Sequence, residues 1–295
     1  MKIFAPGYYK KFKCIAEACR HSCCIGWEID VDADAVLRYR ALCDRNILES
    51  IDFSAEAPHF ELRADGRCPH LDGRGLCRII CEHGEEYLCD ICREHPRFYN
   101  FSLDRCEVGL GVSCQEAARL VLESGDYLTV EEVGERDGEG ELNGFNHVSE
   151  REKIYAVLSD LSISYSDRLL DICRRYGIDL LSDAEGRKII SSLEYLDTES
   201  EGIFSAYRCD AIPKCEKFCE RALAYFIYRH TGEADSLSDF KMGLGLALFL
   251  ERLFASLLFA DGSSELSSAV EFLRRVSEEI EYSEENIEII KNEYL

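Results

Sequence analysis

From residue 147 onward, apolar positions return every three or four residues, and the chain reads as a succession of amphipathic helices. Ser149 followed by Glu152 has the spacing of a capping box ahead of Ile154, Val157, Leu158 and Leu161. Leu169, Leu170, Cys173 and Tyr176, ending at Gly177, predict a second helix, and Ile189, Ile190, Leu193 and Leu196 a third. A fourth is expected over Lys214 to His230, with Phe218, Leu223, Phe226 and Ile227 inward and Gly232 as its stop. The apolar stretch Met242 to Ala260 and the segment Leu266 to Ile280 add two more, and Glu284 to Tyr294 a last acidic turn or two. Glu251 and Arg252 at the middle of the apolar stretch would be costly against lipid, so it reads as a buried core helix. Gly243 and Gly245 inside it read as points of close helix packing.

Before residue 125 the periodicity breaks, because Gly, Asp and Cys interrupt every apolar run. Irregular loops are expected, with short extended pieces at Trp27 to Ile29, Phe60 to Leu62, Cys77 to Ile80 and Glu107 to Leu110. Two helices stand out. Asp34 to Cys43 follows the possible caps Asp30 and Asp32, and Ser113 to Glu123 carries a capping-box pair in Ser113 and Glu116. Residues 125 to 146, with five glycines and seven acidic side chains, read as a linker or surface loop. The expected fold is mainly α. A Cys-rich, metal-cored and irregular N-terminal part (1–124) with a few short strands precedes the linker (125–146) and a helical C-terminal part (147–295).

Charge narrows the choice of partners. Lys plus Arg number 34 against 57 Asp plus Glu, a net of −23, which opposes phosphate backbones and anionic lipid, so neither nucleic acid nor membrane is an expected partner. The first 120 residues hold 16 basic and 20 acidic side chains, so the acidity lies in the C-terminal half. The N-terminal residues lack the apolar stretch of an export signal, so the protein is expected in the cytoplasm, where thiols stay reduced.

Cysteine divides the opposite way, with 12 of 16 in the first 114 residues. The pairs Cys14/Cys19, Cys19/Cys23, Cys77/Cys81 and Cys89/Cys92 have the spacing of loops that wrap two thiolates around one metal centre. Tetrahedral zinc sites usually come as two clean pairs. Adjacent Cys23 and Cys24 and the single Cys68, Cys77 and Cys114 spread the donors over four segments, which favours an iron–sulfur cluster, with zinc as the alternative. Cys114 falls at the start of a helix, where the dipole favours a thiolate. His70, His83 and His95 lie among these cysteines, and hydrogen-bonded roles weigh more than ligation for each. Cys215 and Cys219, four apart on one helix, read as core packing.

At these residues the chain resembles the bacterial flagellin lysine-N-methylase family. The segments that carry the resemblance are Phe12-x-Cys14, Cys19-x3-Cys23-Cys24-x-Gly26-Trp27-x-Ile29-x-Val31-Asp32, Tyr39, Cys68-Pro69-x-Leu71, Gly75-Leu76-Cys77, Gly84-Glu85, Leu88, Cys92-x3-Pro96-Arg97 and Ser113-Cys114-x-Glu116-Ala117-Ala118-Arg119. Part of the cysteine pattern is shared with small proteins described as zinc or iron chelators. His95 stands where the family usually has Tyr. The resemblance implies methyl transfer from S-adenosylmethionine to the ε-amine of surface lysines on flagellin, beside a 4Fe-4S or related cluster. Carried over residue by residue, the cluster-ligand candidates are Cys14, Cys19, Cys23, Cys24, Cys68, Cys77, Cys92 and Cys114; Cys43, Cys81, Cys89 and Cys106 rank lower.

The residues themselves support only part of that chemistry. No strand followed by G-x-G-x-x-G and no C-x3-C-x2-C triplet is present, so neither a doubly wound nucleotide fold nor a radical route is indicated. Arg97 is the candidate to hold the donor's carboxylate through its planar fork, against a structural ion pair. The competing reading is a non-catalytic metal-binding or metal-delivery protein with the same cysteine core.

Overall fold

The computed structural model describes residues 1–42, 44–55, 57–102, 105–137 and 145–295. The chain is mainly helical with a few short strands, as the hydrophobic pattern predicts. It separates into two units: Lys13–Phe98, and Met1–Phe12 together with Tyr99–Leu295.

The unit Lys13–Phe98 is built from short pieces. Its elements are α1 (Ala33–Leu42), α2 (Arg45–Glu49), the two-residue strands β2 (Ile51–Asp52) and β3 (His59–Phe60), α3 (Arg78–His83) and α4 (Asp90–Glu94). Asp32 starts α1, its carboxylate accepting the Ala35 N–H at 2.7 Å, so the cap expected from sequence is present. Cys43, at the expected end of this helix, lies outside the described residues. The stretch Cys77 to Ile80 is helical rather than extended, because Cys77 opens α3 and its carbonyl accepts the Cys81 N–H at 3.1 Å. Left-handed turns at Gly26, Gly66, Gly75 and Gly84 need glycine and explain why no periodicity survives there.

One sheet has the order β4-β5-β1-β6, with β1 (Lys2–Pro6), β5 (Arg105–Leu110) and β6 (Val130–Glu135) in the larger unit and β4 (Arg97–Ser102) crossing the boundary at Tyr99. The segment Glu107 to Leu110 is therefore extended as expected. Strand β1 runs parallel to β5, with Ile3 opposite Cys106, and antiparallel to β6, with a register shift between Ile3 and Phe4. The stretch 125–146 thus contributes a strand, because its Val130-to-Glu135 backbone completes the β1 ladder; residues 138–144 of it lie outside the described residues.

Helices make up the rest: α5 (Gln115–Glu123), α6 (His147–Leu158), α7 (Tyr165–Tyr176), α8 (Asp183–Ile190), α9 (Glu199–Phe204), α10 (Glu216–His230), α11 (Leu237–Asp261), α12 (Leu266–Val276) and α13 (Glu284–Asn292). Helix α6 begins earlier than Ser149, because the Asn146 side chain takes the Ser149 N–H as the cap. The capping box that forms is Ser182 with Glu185, which the apolar pattern at Ile189 to Leu196 did not reveal; the helix there ends at Ile190, and Leu196 is exposed. Gly177 ends α7 in the left-handed conformation, as expected.

Helix α11 is the axis of the core, packed against α10, α12 and α13 and buried from Gly243 to Leu258. It is long and apolar enough to cross a membrane, but its surface is covered by protein. The Glu251 and Arg252 pair at its middle closes on itself, Nε to Oε2 at 2.6 Å, and Arg252 also donates to the Ala211 carbonyl. The two glycines do what close packing requires. A Cβ on Gly243 would stand 2.2 Å from the His230 carbonyl oxygen, and one on Gly245 2.3 Å from the Tyr294 ring. Beyond Val276 the chain makes a π turn, Ser277–Glu281, which turns Glu281 inward to accept from Tyr225, His230 and Arg229.

Candidate metal centre

The core of the unit Lys13–Phe98 is part hydrocarbon and part sulfur. Ile29, Val31, Val36, Ile47, Phe60, Leu71 and Ile79 pack together with buried Cys68 and Cys89, and half-buried Cys24, Cys77 and Cys92 close against them. Five thiols from four chain segments therefore share one interior. Backbone pairing gathers three of them, with the Cys68 N–H donating to the Cys24 carbonyl at 2.8 Å and Leu71 bridging to Cys77. Helix α4 supplies the other two, Cys89 at its N-cap and Cys92 in its first turn.

The thiols feel one another. The Cys24 thiol is lowered to about 7 by a hydrogen bond from Cys23, against the opposing effect of burial. Cys68 is pushed up to about 12 by burial, with charge on Cys24, Cys77 and Cys89 adding to it. Cys89 and Cys92 share one proton, the Cys92 thiol donating and held up while the Cys89 sulfur accepts and is held down. Such a set of soft, mutually repelling anions is stable only when a cation binds it or when most stay protonated.

The remaining candidates lie elsewhere. Cys14 and Cys23 are exposed and Cys19 is partly so; the Cys14 sulfur accepts the Ala16 N–H, and the Cys19 thiol donates to the His21 carbonyl. Cys114 is the N-cap of α5 in the other unit, and Ser113 stands outside the helix, so the expected capping box is replaced by an ion pair of Glu116 with Arg119. Cys89, which sequence ranks low, sits in the sulfur core, whereas Cys81 is exposed and Cys106 is buried in β5 of the larger unit. The C-x2-C spacing of Cys89 and Cys92 was the available signal. Among the described residues no cysteine is in a disulfide. Cys219 is fully buried in α10, in keeping with core packing.

The histidines take hydrogen-bonded roles. His70 is buried against the Phe60 ring, its Nε2 2.9 Å from Ser50 Oγ, and burial followed by the Arg78 charge pushes it down to about 4. His83 Nε2 lies 3.1 Å from Asp44 Oδ2. Burial lowers His95. Among the described residues, the one group of three ligating side chains with donor atoms all within 4.8 Å of one another is Asp44, Glu82 and His83. Its members are already occupied, His83 with Asp44 and Glu82 with Arg78 at 3.1 Å. No three of the five core sulfurs therefore lie within 4.8 Å of one another, wider than the set of thiolates roughly 3.8 Å apart on one tetrahedral zinc, a spacing that follows from a metal–sulfur bond of about 2.3 Å.

Among the described residues, two buried polar atoms of this unit lack a hydrogen-bond partner, Arg38 Nε and the Tyr39 hydroxyl. Tyr39 on α1 is fully buried within the core. An orphaned buried hydroxyl costs about 1–3 kcal/mol. Burial pushes its pKa up and so keeps it protonated, and negative charge on Cys89 and Cys92 would push it further. A wide set of thiol donors beside an unpartnered hydroxyl fits a polynuclear metal–sulfur group. Arg97 follows α4, and its Nη1 donates to the Arg93 and Glu94 carbonyls at 3.3 and 3.5 Å, capping that helix.

Neither a family model nor a solved structure matches this chain. Among curated proteins, the lysine-N-methylase of Salmonella typhimurium strain LT2 is 30% identical over 136 residues, covering 43% of this chain and 34% of that protein. The lysine-N-methylase of Salmonella choleraesuis gives the same figures. The flagellar biosynthetic protein FliU of Salmonella muenchen is 26% identical over 161 residues, 52% of this chain and 94% of that protein. The chain spans about a third of the length of the lysine-N-methylases it matches.

Proposed function

From the chain's kinship with the lysine-N-methylases, which bears out the resemblance read from its cysteine segments, we propose that it is a protein-lysine N-methyltransferase. The single observation that carries the activity is the 30% identity over 136 residues shared with proteins of that name. The donor in this reading is S-adenosylmethionine. The substrate is flagellin or a similar lysine-bearing protein, supported by the flagellar name of the third relative, and the reaction runs in the cytoplasm.

An iron–sulfur cluster accompanies the reaction. In support stand the five core thiols Cys24, Cys68, Cys77, Cys89 and Cys92, soft donors set too wide for one zinc ion. Cys14, Cys19 and Cys23 are the further ligand candidates in the same unit. When bound, such a group supplies iron that binds or polarises a substrate and exchanges electrons. The chain's own part is to hold the donor's carboxylate at Arg97 and to take up the target lysine as a neutral amine, aligned with the sulfonium methyl.

The test is to incubate the anaerobically purified protein with labelled S-adenosylmethionine and flagellin and to look for methyl-lysine by mass spectrometry. Methylated flagellin is the expected result. No transfer by a protein that retains its iron and sulfide would overturn the reading in favour of a metal-binding or delivery protein.

A further inference from the structure

Two bonds fix α1 against the Cys89–Cys92 turn. Asp32 caps both helices at once, its Oδ1 accepting the Ala35 N–H of α1 and its Oδ2 the Asp90 N–H of α4, each at 2.7 Å. Two turns further along α1, Arg38 Nη2 donates to the Leu88 carbonyl at 3.0 Å, the residue immediately before Cys89. Between these clamps α1 turns Ala35, Val36 and Tyr39 into the sulfur core. Phe60 flanks the Tyr39 ring with centroids 6.3 Å apart, which limits where the ring can go.

Tyr39 is thus a fully buried donor without an acceptor among the described residues, in one core cluster with Cys68 and Cys89. Buried hydroxyls are almost always satisfied, and an aromatic core position without a partner is ordinarily filled by Phe. We infer that the Tyr39 hydroxyl donates a hydrogen bond to a sulfur of the metal centre held by Cys89, Cys92 and their neighbours. Tyr39 is therefore a positioning residue that sets the reduction potential of that centre. This inference rests on the reading of the five thiols as a metal site. A hydrogen bond to a metal-bound sulfur draws negative charge from it and favours the reduced, more negative state. Asp32 and Arg38 hold Tyr39 in reach by tying its helix to the turn that bears two of the sulfurs.

The experiment compares the anaerobically purified full chain with Tyr39→Phe, measuring iron and sulfide per chain and the midpoint potential by EPR-monitored titration with dithionite. The same samples in D2O give the hyperfine coupling of exchangeable deuterons. The expected result is unchanged iron and sulfide, a more negative potential, and loss of one coupled deuteron. An unchanged potential and deuteron spectrum in a variant with its full iron would overturn the inference while leaving the metal site standing. Iron-free wild-type protein would instead overturn the metal site. Should Tyr39→Phe lose iron, the melting temperature of the metal-free forms decides. Equal or higher melting in the variant assigns the hydroxyl to the centre, and lower melting makes it merely structural and overturns the inference.

Discussion

The two units solve the problem of stability in different ways. Lys13–Phe98 holds ten of the sixteen cysteines, its longest helix is ten residues, and sulfur fills part of its interior. The larger unit has a 25-residue helix at its centre, surrounded by Phe, Leu, Tyr and Ala side chains that are almost fully buried. Its cysteines, such as Cys219, behave as small apolar side chains. The same residue type is a packing element where regular helices already bury enough surface, and on the proposed metal-bound reading a cross-linking donor where the local chain is too broken to do so.

The largest expected effect follows from that contrast. On the proposed metal-bound reading, chelation, or replacing Cys68 by Ser, is expected to strip amide-exchange protection from most of Lys13–Phe98 while α10, α11 and α12 keep theirs. Hydrogen exchange read by mass spectrometry checks it, and equal protection with and without metal would break the comparison. The next effect works from the other side. Phe254→Ala, at a fully buried position of α11, is expected to cost about 3–5 kcal/mol in denaturant unfolding and to leave the iron content unchanged.

The smallest effect is one of pH and concerns the buried ion pairs of the larger unit. Glu107 would be pushed up by its burial, but Arg151, with nitrogens 2.5 and 2.6 Å from its oxygens, then His147 and Arg105, hold it down to about 2. Glu281 is likewise held at about 2 by Arg229 and His230 against its burial. Both carboxyls ionise far more readily in the folded chain than at the ordinary value of 4.5. Their contribution is therefore fully present above about pH 4.5 and is lost as pH falls from there toward 2. Denaturant unfolding followed by far-ultraviolet circular dichroism at a series of pH values should show this loss, and a flat stability over that window would show that the pairs add nothing net.

The helical half was legible because its signals are local. Periodic apolar residues, Gly177 and the long stretch around Leu250 each specify an element through neighbours a few positions away. Errors arose where a rival local bond decides the boundary, as with Asn146 capping α6, and where a partner distant in sequence creates the element, as with β6 beside β1. In the cysteine-rich part, spacing points to metal chemistry and includes the Cys89/Cys92 pair, whereas the family resemblance ranks Cys89 below Cys14, Cys19 and Cys23; neither says which thiols turn inward.

By itself, then, the sequence determined the mainly helical class, the buried apolar axis, the concentration of thiols and the family likeness. Each is a matter of composition, period or short spacing. Only tertiary structure decided that Cys24, Cys68, Cys77, Cys89 and Cys92 share one interior, and that Asp32 joins α1 to α4 with Tyr39 buried in the same cluster. Those juxtapositions depend on chain segments tens of residues apart, brought together by burial and by backbone hydrogen bonds that no local pattern encodes.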